Sequence, residues 1–206
     1  MRKIQDHYFK KAKAEGYQVR SAFKLEELDQ KNNLIHRGMK VIDLGCFPGS
    51  WMQYVSKKIG DKGLVLGVDI QELNLSLFPN MAFIHQDIFE LNLQSLGDYS
   101  KRWDLVISDM APSTTGNRVA DSERSFALCS LAMDVAQLYL RQGGGCLVKS
   151  LQGVAHERLL KRMREEYNKV KSLRPDSTRK ESKEVFVLGI GKKGESKDDH
   201  DTIGTA

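Results

Sequence analysis

Three aspartates each close a short apolar run: Asp43 in Val-Ile-Asp-Leu, Asp69 at the end of Leu-Val-Leu-Gly-Val-Asp, and Asp87 in His-Gln-Asp-Ile. After the first comes Gly45-Cys-Phe-Pro-Gly-Ser-Trp51, a glycine-bearing turn that leads into a helical pattern. Gly45 and Gly49 let a ligand approach the backbone, and a helix start offers free N–H groups to it. The dinucleotide signature Gly-x-Gly-x-x-Gly is absent, because Phe47 stands where its second glycine belongs and Pro48 has no N–H, so a pyrophosphate would fit badly. Asp69 follows Gly49 by twenty residues, the placement of an acid that binds both hydroxyls of a ribose. Asp87 is placed to reach an adenine amino group. Together Asp43, Gly45, Pro48, Gly49, Asp69 and Asp87 describe a cradle for an adenosine that carries no phosphate and has a cationic head, which is S-adenosylmethionine. One acid at a strand end is usually a helix cap, but three in succession argue for a ligand.

Two further apolar runs end in ionisable groups, Asp109 in Ile-Ser-Asp-Met-Ala-Pro-Ser and Lys149 in Leu-Val-Lys-Ser. In open α/β sheets ligands bind beyond the carboxyl ends of the strands, so both side chains are expected to face the cofactor crevice. Glu184 opens the last apolar run; an antiparallel last strand brings it to the same edge, whereas a parallel one puts it on the opposite side. Glu181 is a competitor close by.

These side chains need a frame. Strands are expected at Lys40–Leu44, Leu64–Val68, Ala82–His85, Asp104–Ser108, Gly145–Lys149, more weakly at Val170–Leu173, and at Glu184–Gly189. Helical patterns lie at Trp51–Lys58, Ser122–Leu140 and His156–Glu166, and two more, Asp6–Ala14 and Arg20–Asp29, precede the first strand. Strands alternating with helices predict a Rossmann-like α/β fold, a mostly parallel seven-stranded sheet with helices on both faces. The two late strands, joined by a short connection, are expected to pair antiparallel. We therefore expect one domain over residues 1–191, divided into a basic helical extension (1–39) and the α/β core (40–191), with a polar, mobile tail at 192–206.

The charge is polarised. The formal net charge is +5, but residues 1–40 and 157–183 each hold ten Lys/Arg against five Asp/Glu, which leaves the remainder acidic. Such clusters suit a polyanion, and Lys10, Lys11, Arg20 and Arg162 are the candidate phosphate contacts. With 40% hydrophobic and 29% charged residues the chain can bury a sizeable core, which argues against extensive disorder. No apolar run is long enough to cross a membrane, and the charged N-terminus lacks a signal-peptide core, so a cytoplasmic location is expected. Cys46, Cys129 and Cys146 form no Cys-x-x-Cys pair and the five histidines are scattered, which predicts neither disulfides nor a metal. The expected state is a monomer.

Over nearly its whole length the chain resembles the FtsJ/RrmJ family of ribosomal RNA 2′-O-ribose methyltransferases. The matching stretches are DHYFKKAKAEGYQVRSAFKLEEL, VIDLGCFPGSWMQYV, LVISDMAPSTTG, GGCLVKSLQG and LRPDSTRKESKEVFVLG. The resemblance implies the S-adenosylmethionine-dependent methyltransferase fold, a catalytic tetrad of Lys24, Asp109, Lys149 and Glu184, and cofactor contacts at Gly49, Trp51, Asp69, Asp87 and Asp109. It also implies a uridine of the large-subunit rRNA as substrate and a role in ribosome biogenesis. Lys24 rests on the resemblance alone. The chain departs from the family where Cys46-Phe47 replaces two alanines and Ser50 replaces a glycine, which bears on how the cofactor loop packs.

A ribose 2′-hydroxyl is a poor nucleophile and a sulfonium methyl needs little activation, so such an enzyme must align the two and accept a proton. In this scheme Lys149 is the base or steers the hydroxyl, with Lys24 as the neighbouring cation that favours the neutral amine. Asp109 lies near the methyl and orients Lys149, and Glu184 holds the hydroxyl or Lys24. The rival readings are 2′-O-methylation of a tRNA anticodon loop, a non-catalytic rRNA-binding assembly factor, and an NAD-dependent oxidoreductase, which the glycine pattern disfavours.

Overall fold

The computed structural model describes residues 21–92, 102–178 and 182–194. Its strands are β1 (Lys40–Leu44), β2 (Leu64–Asp69), β3 (Met81–His85), β4 (Trp103–Ser108), β5 (Leu140–Leu151), β6 (Tyr167–Leu173) and β7 (Glu184–Lys192). Its helices are α1 (Ser21–Asn32), α2 (Ser50–Ile59), α3 (Arg118–Tyr139) and α4 (Val154–Glu166), with a single 3-10 turn at Ile88–Glu90. The strands form one sheet in the order β3-β2-β1-β4-β5-β7-β6. Pairing is parallel from β3 through β5, and β7 inserts antiparallel between β5 and β6. This is the expected mixed α/β sheet.

The central strands show no alternation because both of their faces are covered. On one face α1 and α2 bring Leu25, Leu28, Trp51, Met52 and Val55 against Val41, Val65, Ile107, Leu147 and Phe186. On the other, α3 and α4 bring Cys129, Met133, Ala136, Leu159 and Met163 against Ile42, Leu44, Val68, Val148 and Val187. The edges are protected differently: β3 is five residues long, and β6 carries exposed Asn168 and Lys169.

Three elements start earlier than their sequence pattern suggests. Helix α3 begins at Arg118 because Asn117 caps it, its Oδ1 accepting from the N–H groups of Val119 (3.1 Å) and Ala120 (3.2 Å). Strand β5 runs back to Leu140 through the Gly143-Gly144-Gly145 run, which reads as a turn but is absorbed as an irregularity in the pairing with β4 between Trp103 and Leu105. Strand β6 starts at the buried Tyr167, whose polar neighbours hide the strand in the sequence.

Register decides where the functional side chains point. Leu44, Val68, Ser108, Val148 and Val187 lie side by side across five strands. Leu44, Val68, Val148 and Val187 pack toward α3 and α4. Side chains alternate along a strand, so the next position in each strand faces α1 and α2 instead. Asp69, Gly45, Asp109 and Lys149 occupy those next positions, and Lys149 pairs across β7 with Phe186, two residues from Glu184.

Candidate active site

Asp43, one step back on β1, shares that face and is 1% exposed. Its Oδ2 has no hydrogen-bond partner among the described residues. Burial, and after it the charges of Asp109 and Asp69, push its carboxyl well above the usual carboxylate range. Asp69 is also buried, with Oδ2 accepting from the Phe47 N–H (2.8 Å) and Oδ1 from the Gln71 N–H (2.8 Å). It thereby fixes the β1–α2 loop while each oxygen keeps lone-pair capacity for a ligand. Asp87 lies further out and exposed, where its carboxylate accepts from the Phe89 N–H (3.0 Å) at the start of the 3-10 turn.

The loop between β1 and α2 turns on two glycines in the left-handed region, Gly45 (φ 71°) and Gly49 (φ 98°), with a cis peptide bond from Phe47 to Pro48. The room left by their missing Cβ atoms is already used: a Cβ on Gly45 would collide with Met110, and one on Gly49 would lie 2.8 Å from Leu75. These glycines therefore serve backbone conformation and packing. Gly49 caps α2 without a side-chain cap hydrogen bond, and the N–H groups of a helix's first turn have no intrahelical acceptors. The Trp51 side chain is buried, its indole N–H donating to the Ser21 carbonyl (2.9 Å) and its ring 5.9 Å from that of Phe186. Only its main chain remains for a ligand.

On the other side of the crevice Lys149 is 8% exposed. Its Nζ lies 2.9 Å from Asp109 Oδ1 and donates to the Asp109 carbonyl. Lys24, in the first turn of α1, donates to Glu184 Oε2 at 2.8 Å. Burial raises the Glu184 carboxyl, but the hydrogen bond and charge of Lys24, the charge of Lys149 and the Ser182 contact together hold it below its ordinary value. The four expected catalytic residues thus form two ion pairs, Lys149–Asp109 and Lys24–Glu184, on one face of the sheet. Glu181 lies outside the described residues.

The phosphate contacts fare differently. Lys10, Lys11 and Arg20 lie outside the described residues. Arg162 corrects the sequence reading: its guanidinium is spent in the fold, on Asp134 (2.5 Å), Glu166 (2.7 Å) and the Ser130 carbonyl (3.3 Å), where it ties α4 to α3. Arg158 is likewise committed, to both carboxylate oxygens of Glu123 (2.9 Å each). Cation count over a stretch of sequence overstates free charge when the neighbouring helix supplies the acids.

Sequence reading missed the residues that hold the site together. Asp29 is 3% exposed and accepts from the N–H groups of Leu34 and Ile35 and from the Tyr54 hydroxyl (2.6 Å). The available signal was an acid in the core phase of an amphipathic helix. Asp121 holds the loop after Asp109 by accepting from the Thr115 N–H (2.8 Å), the Thr115 hydroxyl (3.0 Å) and the Gly116 N–H (3.1 Å), bonds that lower its pKa. The three cysteines are buried and free. Among the described residues no cluster of His, Cys, Asp and Glu could hold a metal ion, and no helix is long and apolar enough to cross a membrane.

The cluster of buried or half-buried carboxylates Asp43, Asp69 and Asp109 has the charge that suits a cationic ligand. Comparison with known proteins gives the family. Residues 17–192 match the FtsJ-like methyltransferase family. A Bdellovibrio bacteriovorus protein named ribosomal RNA large subunit methyltransferase E is 46% identical over 192 residues, covering 92% of this chain and 97% of that relative. A protein of the same name from Oleidesulfovibrio alaskensis is 45% identical over 197 residues, covering 94% and 95%. A Plasmodium falciparum crystal structure described as a ribosomal RNA methyltransferase superposes with a TM-score of 0.74 at 26% identity, covering 86% of this chain and 100% of that one.

Proposed function

The chain belongs to the FtsJ-like methyltransferase family, and from that membership we propose that it transfers a methyl group from S-adenosylmethionine to the ribose 2′-hydroxyl of a uridine in large-subunit rRNA. The observation that carries the reading is the juxtaposition of an unpartnered, buried Asp43 carboxylate with the Lys149–Asp109 pair on one sheet face. The names of the relatives support the large-subunit rRNA as the target.

When bound, S-adenosylmethionine supplies a methyl group on a sulfonium that leaves as a neutral thioether. Asp69 would take the ribose hydroxyls, Asp87 the adenine amino group, and the buried acids the positive head. Asp109 holds Lys149 Nζ beside the place an incoming 2′-hydroxyl would occupy, and Lys149, as the neutral amine, would accept the hydroxyl proton. Glu184 fixes Lys24 on the same side, where its positive charge would favour the neutral form of the Lys149 amine that accepts the proton. Alignment of two bound reactants supplies much of the rate. A target nucleotide must leave its stack to reach the crevice, and the basic extension with Lys10, Lys11 and Arg20 grips the flanking phosphates. The 2′-hydroxyl makes the reaction specific for RNA over DNA.

The test is transfer of labelled methyl to large ribosomal subunits from a strain lacking the enzyme, with total tRNA in parallel, followed by mapping of the modified ribose. A 2′-O-methyluridine in the large-subunit rRNA is expected. Labelling of tRNA alone, or of a base instead of a ribose, overturns the reading.

A further inference from the structure

Helix α1 carries Lys24 and is fastened at both ends by different means. Its C-terminal end is locked into the fold by Asp29, which binds Tyr54 on α2 and the following turn, and by Lys171 of β6, which donates to Asn32 Oδ1 at 2.8 Å. At its N-terminal end Lys24 reaches Glu184 on β7, and Ser21 meets the start of α2. Ser21 Oγ lies 2.7 Å from Ser50 Oγ, and the Ser21 carbonyl accepts from the Trp51 indole at 2.9 Å. Ser50 is 2% exposed. It follows Gly49 directly, so this contact joins the cofactor loop to the helix that supplies Lys24.

Lys24 follows Ser21 by three residues, a spacing of about one helical turn, and the Asp29 anchor lies a further turn and more away. The buried Phe23 and Leu25 hold the Lys24 backbone against the core, and the Ser21 contact ties the turn before it to the head of α2. Trp51 also packs on Phe186, two residues along β7 from Glu184. Both partners of the Lys24–Glu184 pair are thus referenced to the same two residues at the head of α2.

We infer that Ser21 and Ser50 form a latch that registers Lys24 to the cofactor loop, which makes both serines positioning residues for methyl transfer. The inference rests on the proposed function. The latch touches neither reactant; it sets the position of Lys24 beside Lys149, and a displaced catalytic group costs rate even when folding survives. Because one hydroxyl serves only through the other, the effects of losing either are not additive.

The experiment compares Ser21→Ala, Ser50→Ala, the double variant and Ser21→Thr by single-turnover methyl transfer at saturating donor, with donor affinity, melting temperature and the pH–rate profile recorded for each. Each alanine variant is expected to lose rate by about three- to tenfold, with the double variant no worse than the singles and Ser21→Thr close to wild type. In the alanine variants the weakened Lys24 contact lets Glu184 take a proton at higher pH, so the acid limb of the profile moves upward. Wild-type rates in the alanine variants, additive losses in the double variant, or a rate loss that follows the melting temperature with an unmoved acid limb would each overturn the latch. Absence of methyl transfer by the wild-type protein itself would instead count against the proposed function.

Discussion

The donor side and the transfer side of the crevice share one sheet face, yet their charges are balanced in opposite ways. At the ends of β1 and β2, Asp43 and Asp69 are both buried; burial, and after it the charges of Asp109 and Asp69, raise the Asp43 carboxyl, and Asp43 Oδ2 has no hydrogen-bond partner among the described residues. At the ends of β4, β5 and the start of β7, each acid has its own ammonium, at 2.9 Å for Lys149–Asp109 and 2.8 Å for Lys24–Glu184. Buried charge is costly unless it is paired. In the proposed reaction the unbalanced half would receive the positive charge of the donor, and the balanced half would keep the reacting groups in place.

The largest effect is expected on the balanced half. Lys149→Ala should lower single-turnover methyl transfer by about 10²–10⁴-fold, the usual worth of a positioned acid–base group. Lys149→Arg should fail nearly as badly, because a guanidinium does not give up its proton at neutral pH. An active arginine variant would reduce Lys149 to a positive charge. Next comes Asp69→Ala, which removes a charge-assisted contact worth about 1.5–3 kcal/mol; calorimetry should show donor affinity falling about ten- to a hundredfold with transfer at saturating donor largely kept.

Asp43→Asn sharpens the contrast because it separates binding from folding. An acid whose pKa is raised on folding holds its proton more tightly in the folded state, so the free protein should lose stability as pH climbs from the ordinary range near 4 through the raised value. Removing the charge should abolish that loss, raise the melting temperature at neutral pH and weaken donor binding. Donor binding by the wild-type protein should release a proton, visible as a dependence of the calorimetric heat on the buffer; a buffer-independent heat would show Asp43 already ionised.

The smallest effect belongs to the Lys24–Glu184 pair, which is partly exposed. The Glu184 carboxyl is held below its ordinary value, so its contribution is present above the ordinary glutamate range, near 4.3, and is lost as pH falls through the depressed value. Glu184→Gln should flatten that acid-side loss of stability, measured by melting temperature against pH, and lower the melting temperature slightly at neutral pH, where the pair's contribution is present.

The strand ends Asp43, Asp69, Asp109 and Lys149 were legible because an ionisable residue that closes an apolar run stands out in any sequence, and the α/β alternation says which edge it faces. Glu184 was legible only conditionally, since its edge depends on the direction of β7, which the antiparallel pairing with β5 settles. The first residues of β6 and of β5 escaped because polar residues and glycines take part in pairing that only the neighbouring strands impose. Lys24 and Ser21 were illegible from pattern alone: a lysine and a serine on an amphipathic helix look solvated until the helix is docked.

Local sequence thus determined the elements, the acidic strand ends and the kind of ligand they suit, because propensity and side-chain alternation act over a few residues. The tertiary structure alone decided which charges remain available. Packing of α4 on α3 consumed Arg162, and docking of α1 on α2 delivered Lys24 to Glu184 across 160 positions of sequence. Ion pairing depends on distances of a few ångströms between side chains that the chain keeps far apart, so it is set by the fold and not by the spacing of the residues.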